Sequence, residues 1–212
     1  MKIILPDKGR LRRTSDVDYY NWNYLFPIKY IQLYRFRVLL DLLGPVQVGR
    51  LLEAGTGSGV FLPELSRHCR ELHACDVHGR MDAVAEMIRA EGLDVELRSA
   101  SIQATGYPDR FFDVVVAVSV LEFVQDLEAA LGEIRRILKP DGFFLTICPQ
   151  QHRFSDAVVA LYSRKKPAEE FIQPRVDVAP LLEKRFRVIE RKRFPAVGGG
   201  RFAVYHTYKL GL

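Results

Sequence analysis

Between Val48 and Pro149 short apolar runs alternate with amphipathic segments, and this rhythm restricts the fold more than any other feature of the chain. VGRLLEAG, LHACDV, VELRSA, FFDVVVAVSV and GFFLTICP read as strands. The continuous apolar run of FFDVVVAVSV suits a strand covered on both faces. Between them, GVFLPELSRHCR, MDAVAEMIRAEG and LEAALGEIRRILKPDG read as helices, the last ended by Pro140 and Gly142. In the second of these, Met81, Val84, Met87 and Ile88 form the apolar stripe and Gly92 the stop. Strands separated by helices must pair in parallel through right-handed crossovers.

The tail changes the pattern. RFRVIERKRF (185–194) and RFAVYHTYKL (201–210) are both strand-like and are joined by glycine-rich PAVGGG, which predicts an antiparallel hairpin. The expected fold is therefore α/β: a doubly wound, mostly parallel seven-stranded sheet ending in that hairpin, with helices on both faces. Residues 1–45 read as an N-terminal aromatic cap, helical from about Pro27. Residues 46–212 read as the main domain, with a helical insertion at about 150–184 that includes FSDAVVALYSRK.

Composition narrows the class. Of the 212 residues 48% are hydrophobic and 27% charged, the balance of a globular chain rather than a disordered one. No apolar run approaches the roughly 18 residues of a membrane span. MKIILPDKGRLRR lacks the apolar core of a secretory signal, so a cytoplasmic location is expected. Cys69, Cys75 and Cys148 lack metal-site spacing, and no metal is expected; Cys75 and Cys148 sit in apolar runs as core residues. Charge is uneven: nine basic against four acidic residues over 1–50, nine against sixteen over 51–150, and thirteen against six over 151–212. The basic ends suit an anionic substrate, a membrane surface or RNA, or are ordinary solvated faces.

LLEAGTGSGVF (51–61) joins the first strand to its helix. A glycine-rich turn there lets a ligand touch backbone and aims a helix N-terminus at it. A dinucleotide fingerprint requires a third glycine three places after the second, but those positions hold Val60 or Leu62. No Gly-Lys-Ser/Thr follows, so a P-loop fails as well. What remains is E-x-G-x-G-x-G, formed by Glu53, Gly55, Gly57 and Gly59.

Here the chain resembles the class I S-adenosylmethionine-dependent methyltransferases, in particular the UbiE/type-11-like group. The resemblance covers roughly residues 45–150 in order: the glycine loop, Asp76 closing the second strand, YPDRFFDVVVAVSVLEFVQD, and LGEIRRILKPDGFFLTI. It implies S-adenosyl-L-methionine as cofactor and S-adenosyl-L-homocysteine as product. Gly55 and Gly57, with Ala54 and Thr56 between and beside them, would pass backbone close to the methionine and ribose. Glu53 would sit by the methionine amine, where a carboxylate suits a cation. Asp76 would accept the ribose hydroxyls with Val77 beside it, or else cap the next helix. The Ser119 carbonyl would meet the amine. Ser101 stands where this family often places an acid near the adenine amino group, and Ile102 would cover the adenine face.

The implied reaction is in-line displacement at a methyl group by an O, N, S or C nucleophile, which demands alignment more than a fixed triad. His152 and Tyr20 are the candidates for a proton acceptor, with His73, His78 and His206 less well placed. Tyr19, Tyr20, Trp22 and Tyr24 are either a lid over the site or packing for a helix. Lys29, Arg35 and Arg37 face an anionic substrate or solvent. DNA is disfavoured, because SVLEFV after the fourth strand lacks the proline of amino-methylating enzymes and the Pro-Cys of cytosine-C5 enzymes. A small-molecule acceptor is expected. A protein or RNA acceptor, a non-catalytic binding module, and peripheral membrane contact through IKYIQLYRFRVLLDLL are the alternatives.

Overall fold

The computed structural model describes residues 2–16, 18–149, 178–194, 203 and 205–212. Seven strands form one sheet: β1 (Val48–Ala54), β2 (Cys69–Asp76), β3 (Val95–Ser99), β4 (Phe112–Val118), β5 (Leu138–Pro149), β6 (Arg187–Phe194) and β7 (Tyr205–Gly211). Their spatial order is β3-β2-β1-β4-β5-β7-β6. β1 to β5 pair in parallel, and β7 runs antiparallel to both β5 and β6. The antiparallel pair predicted for the tail is present, with β7 inserted between β5 and the edge strand β6. Its connecting PAVGGG lies outside the described residues.

Among the described residues five α-helices accompany the sheet: α1 (Lys29–Leu43), α2 (Leu62–Leu65), α3 (Met81–Ala90), α4 (Leu127–Ile137) and α5 (Val178–Arg185). Alternating side chains of the central strands feed two layers, as the two-residue period of a strand requires. Leu51, Val114 and Val116 join Phe36, Leu39 and Met87 in one core; Leu52, Val115 and Ala117 join Leu131, Ile134 and Leu182 in the other. α1 thus contributes to the main core, where Phe36 stacks on Phe61 at 4.1 Å. Cys75 and Cys148 are buried, as expected.

Two boundaries differ from the sequence reading. The helix after the glycine loop is one turn, Leu62–Leu65, and the second strand begins at Cys69 rather than Leu72. Pairing explains this, because Cys69 sits opposite Val48, so β2 matches β1 along its whole length. α4 ends at Ile137, before Pro140, because Leu138 already pairs with Phe112. Lys139–Gly142 then forms an irregularity in the ladder. Glycine is required there: a Cβ on Gly142 would lie 2.9 Å from the Asp113 carbonyl. No helix among the described residues is long and apolar enough to cross a membrane.

Candidate functional site

The carboxyl ends of β1, β2 and β4 open into a cavity of about 630 Å³. Such crevices outside the strand ends are where doubly wound sheets bind ligands. Glu53, Gly55, Thr56, Gly57, Asp76, Val77, Ser101, Ile102 and Ser119 all line it. Ala54 does not; as the last residue of β1 it is fully buried in the core. Gly59, the last of the glycine series, is a packing residue, since a Cβ there would lie 2.5 Å from Met87.

The loop geometry follows from its glycines. Gly55 and Gly57 have φ of 79° and 54°, in the left-handed region that glycine enters freely. A Cβ at Gly55 would lie 2.4 Å from Val120. At Gly57 nothing lies within 4 Å, so the loop leaves open space beside its backbone. Asp76 holds the loop from below: its Oδ2 accepts from Gly57 N–H at 2.8 Å and its Oδ1 from Val77 N–H at 2.7 Å. Asp76 does not cap α3, whose N-cap is Arg80. His78 adds a contact from Nε2 to the Gly57 carbonyl at 2.9 Å.

Glu53 is only 3% exposed. Burial pushes its carboxyl up to about 8; a hydrogen bond from Thr56 Oγ1 at 2.7 Å opposes this, and the neighbouring charge of Asp76 adds to it. A cation arriving at this end of the cavity would favour the ionised form. Ser119 closes β4 with φ of 54°, a conformation that costs a non-glycine residue energy and is concentrated at functional sites. Its Oγ accepts from Arg35 Nη1 at 3.2 Å. At the far end Ser101 Oγ accepts from Gln103 N–H at 3.1 Å, next to Ile102. Among the described residues no cluster of His, Cys, Asp or Glu has the arrangement of a metal site.

The N-terminal segment supplies the opposite wall. Thr14, Asp18, Tyr19, Tyr20 and Trp22 all line the cavity, with Tyr19 and Trp22 stacked at 4.5 Å. Asp18 ties the wall together by accepting from Thr14 N–H at 3.0 Å and from Tyr20 N–H at 3.1 Å. Ser58 Oγ of the glycine loop donates to Asp18 Oδ1 at 3.4 Å, which links wall to loop. Tyr24, grouped with the other aromatics by sequence, points elsewhere and donates from its hydroxyl to the Pro6 carbonyl at 2.7 Å. Arg35 lines the cavity; Lys29 and Arg37 do not. Of the histidines, His78 lines it, whereas His73 is caged by Tyr107, Phe111 and Phe112, and His206 is buried in β7. His152 lies outside the described residues. Asp18, Gln32, Gln103 and Tyr205 line the site without having been singled out by sequence. Their only sequence signal is polar character within apolar surroundings.

A family model described as a methyltransferase domain matches residues 52–146, the stretch from the end of β1 to β5. Over that central stretch the chain is similar to methyltransferase domains. A ubiquinone biosynthesis O-methyltransferase from Cereibacter sphaeroides is 33% identical over 110 residues, covering 51% of this chain and 44% of the relative. A malonyl-[acyl-carrier protein] O-methyltransferase from Halorhodospira halophila is 34% identical over 123 residues, covering 53% and 40%. The chain thus spans less than half the length of these curated relatives. In fold it is similar to the N-methyltransferase NodS from Bradyrhizobium japonicum in complex with S-adenosyl-L-homocysteine, with a TM-score of 0.65, 20% identity, and coverage of 84% of this chain and 86% of that one.

The residues lining the cavity fit S-adenosylmethionine. Open space at Gly57 admits a ligand against backbone, a buried carboxyl at Glu53 suits an ammonium, and Asp76 keeps unused acceptor capacity for a diol.

Proposed function

We propose that this chain transfers a methyl group from S-adenosylmethionine to a small-molecule acceptor carrying an O, N or C nucleophile. The observation that carries the reading is the single cavity in which the glycine loop, Glu53, Asp76 and Ser119 meet the aromatic wall of Tyr19, Tyr20 and Trp22. Its volume falls in the range of small-molecule sites, about 300–1,000 Å³. The O-methyltransferases it is similar to, named for ubiquinone biosynthesis and for malonyl groups on acyl-carrier protein, point toward oxygen acceptors among the three nucleophiles.

When bound, the cofactor supplies an electrophilic methyl group on a sulfonium. The chain's own residues orient and enclose. Glu53 and the Ser119 end hold the amino-acid arm, Asp76 the ribose, and Ser101, Ile102 and Gln103 the base. The aromatic wall excludes water and presents apolar faces on which a planar acceptor packs. Tyr20, one of the tyrosines lining the cavity, would take or relay a proton from an acidic acceptor; an acceptor already ionised needs no base.

The test is methyl transfer from radiolabelled S-adenosylmethionine to a panel of phenols, quinone precursors, carboxylic acids and lipids. Label should move to at least one small acceptor and be lost in Asp76→Ala. Transfer confined to protein or RNA in the same assay would replace this reading with a macromolecular one.

A further inference from the structure

The chain from Ile3 to Leu11 is a strap tied to the two helices that follow the glycine loop and Asp76, α2 and α3. One acid at each helix holds it. Glu64 of α2 accepts from Ile4 N–H at 2.6 Å through Oε2. Glu91, just after α3, accepts from Asp7 N–H at 2.8 Å and pairs with Arg10 Nη1 at 3.1 Å. Arg10 also donates to the Ala90 carbonyl at 2.6 Å.

Glu64 stands out because it is fully buried. Its Oε1 meets His68 Nε2 at 3.1 Å, with Arg67 Nη1 at 3.9 Å. A buried carboxyl is costly unless hydrogen-bonded, and an apolar side chain would fill the same space without that cost. What the carboxyl adds is the choice of one backbone N–H. Ile3 is buried in the main core, whereas Ile4 beside it is 42% exposed, the alternation of an extended chain. Two adjacent isoleucines could exchange these places, so packing alone does not choose between them. The bond from Ile4 N–H to Glu64 does.

This register reaches the cavity. Thr14, Asp18, Tyr19, Tyr20 and Trp22, which form the wall, follow directly on the strap. Leu11 anchors the start of that segment in the core, and the Tyr24 hydroxyl fastens its end to the Pro6 carbonyl at 2.7 Å. Both ends of the wall are thus attached to the strap, and a strap displaced by one residue would carry the wall with it.

We propose that Glu64 is a positioning residue for the acceptor side of the cavity: by fixing the strap at Ile4 it sets where the aromatic wall stands opposite the glycine loop. The acceptor part of this inference rests on the function proposed above; the placement of the wall does not.

Trp22 is the sole tryptophan of the chain and lines the cavity, so its fluorescence reads the wall with no ligand present. Glu64→Leu keeps bulk and removes the acceptor. Ile4→Pro removes the N–H and leaves α2 intact. Glu64→Gln keeps an oxygen for Ile4. In Glu64→Leu and in Ile4→Pro, Trp22 emission should move to longer wavelength and acrylamide should quench it more strongly, while Glu64→Gln stays close to wild type. The double variant Ile4→Pro/Glu64→Leu should change no further, as expected when one contact is removed twice. For an acceptor that takes up label, KM should rise about 2–10-fold in both single variants, the worth of one hydrogen bond, with S-adenosylhomocysteine affinity nearly unchanged. Wild-type emission and quenching in Ile4→Pro overturn the proposal, whether or not Glu64→Leu folds. Additive changes in the double variant also overturn it, because they give the two residues separate roles. So does a displaced wall with an unchanged acceptor KM. If wild type labels no small acceptor while Trp22 still shifts in the variants, the function proposed above has failed and the placement of the wall by Glu64 stands.

Discussion

The glycine loop and the N-terminal wall face each other across one cavity, yet they hold their polar groups by different means. On the loop side, partners are backbone groups and carboxylates at strand ends. Asp76 braces Gly57, Thr56 braces Glu53, and β1 and β2 set the spacing through their paired register. On the wall side, Asp18 accepts from the nearby N–H groups of Thr14 and Tyr20, while the contacts that join wall to loop are side chains brought together over long chain separations, Arg35 with Ser119 and Asp18 with Ser58. The loop is thus fixed by the sheet, and the wall by packing and contacts between segments distant in sequence. Elements fixed by the sheet suit a ligand shared by a whole family, and a wall built from segments outside the sheet suits an acceptor that differs between members.

The sharpest way to break this comparison is within the loop itself. Gly55→Val combines left-handed strain with a collision against Val120 and should cost about 2–5 kcal/mol of folding stability. Gly57→Val meets open space and should cost only the backbone strain, about 1–2 kcal/mol. It should nevertheless lose cofactor binding, because its side chain occupies the ligand's place. Thermal melts paired with calorimetry distinguish the two; similar melting temperatures would contradict the packing argument.

Asp76→Ala comes next in size. It removes the acceptor for Gly57 N–H and for a bound diol, an expected loss of about 10–100-fold in affinity for S-adenosylhomocysteine. Asp76→Asn should lose less.

Glu53 offers a pH test. With its carboxyl raised to about 8, the empty protein keeps this group protonated where the unfolded chain ionises it. Its contribution to stability therefore falls as pH rises from about 4.5 to 8. A bound ammonium reverses the preference, so cofactor binding at pH 7 should release a proton. The observed heat should then depend on the ionisation enthalpy of the buffer, and Glu53→Gln should remove that dependence.

The smallest effect belongs to the wall. Trp22→Ala, which breaks the stacked pair with Tyr19, should raise the acceptor KM by about 2–10-fold while leaving cofactor affinity nearly unchanged. A large loss of cofactor affinity instead would merge wall and loop into one unit.

The same contrast explains what the sequence made legible. The strands, the loop and Asp76 follow from local runs and spacings, because a strand–turn–helix unit carries its geometry within some thirty residues. The short α2 escaped notice because the extent of β2 is set by pairing with Val48, a partner twenty-one positions away. Asp18 and Arg35 act in the site through contacts over 40 and 84 positions, and nothing in their neighbours announces this. Tyr24 takes the packing alternative: it lies against the core with its hydroxyl bound to Pro6, apart from its sequence neighbours Tyr20 and Trp22, which line the cavity.

The most direct measurement is calorimetric titration of wild type, Gly57→Val and Asp76→Ala with S-adenosylhomocysteine. The expected result is one site per chain in wild type, sharply weakened in both variants while their melting temperatures fall by only about 2–8 °C. No binding at millimolar ligand, or binding indifferent to both substitutions, would contradict it.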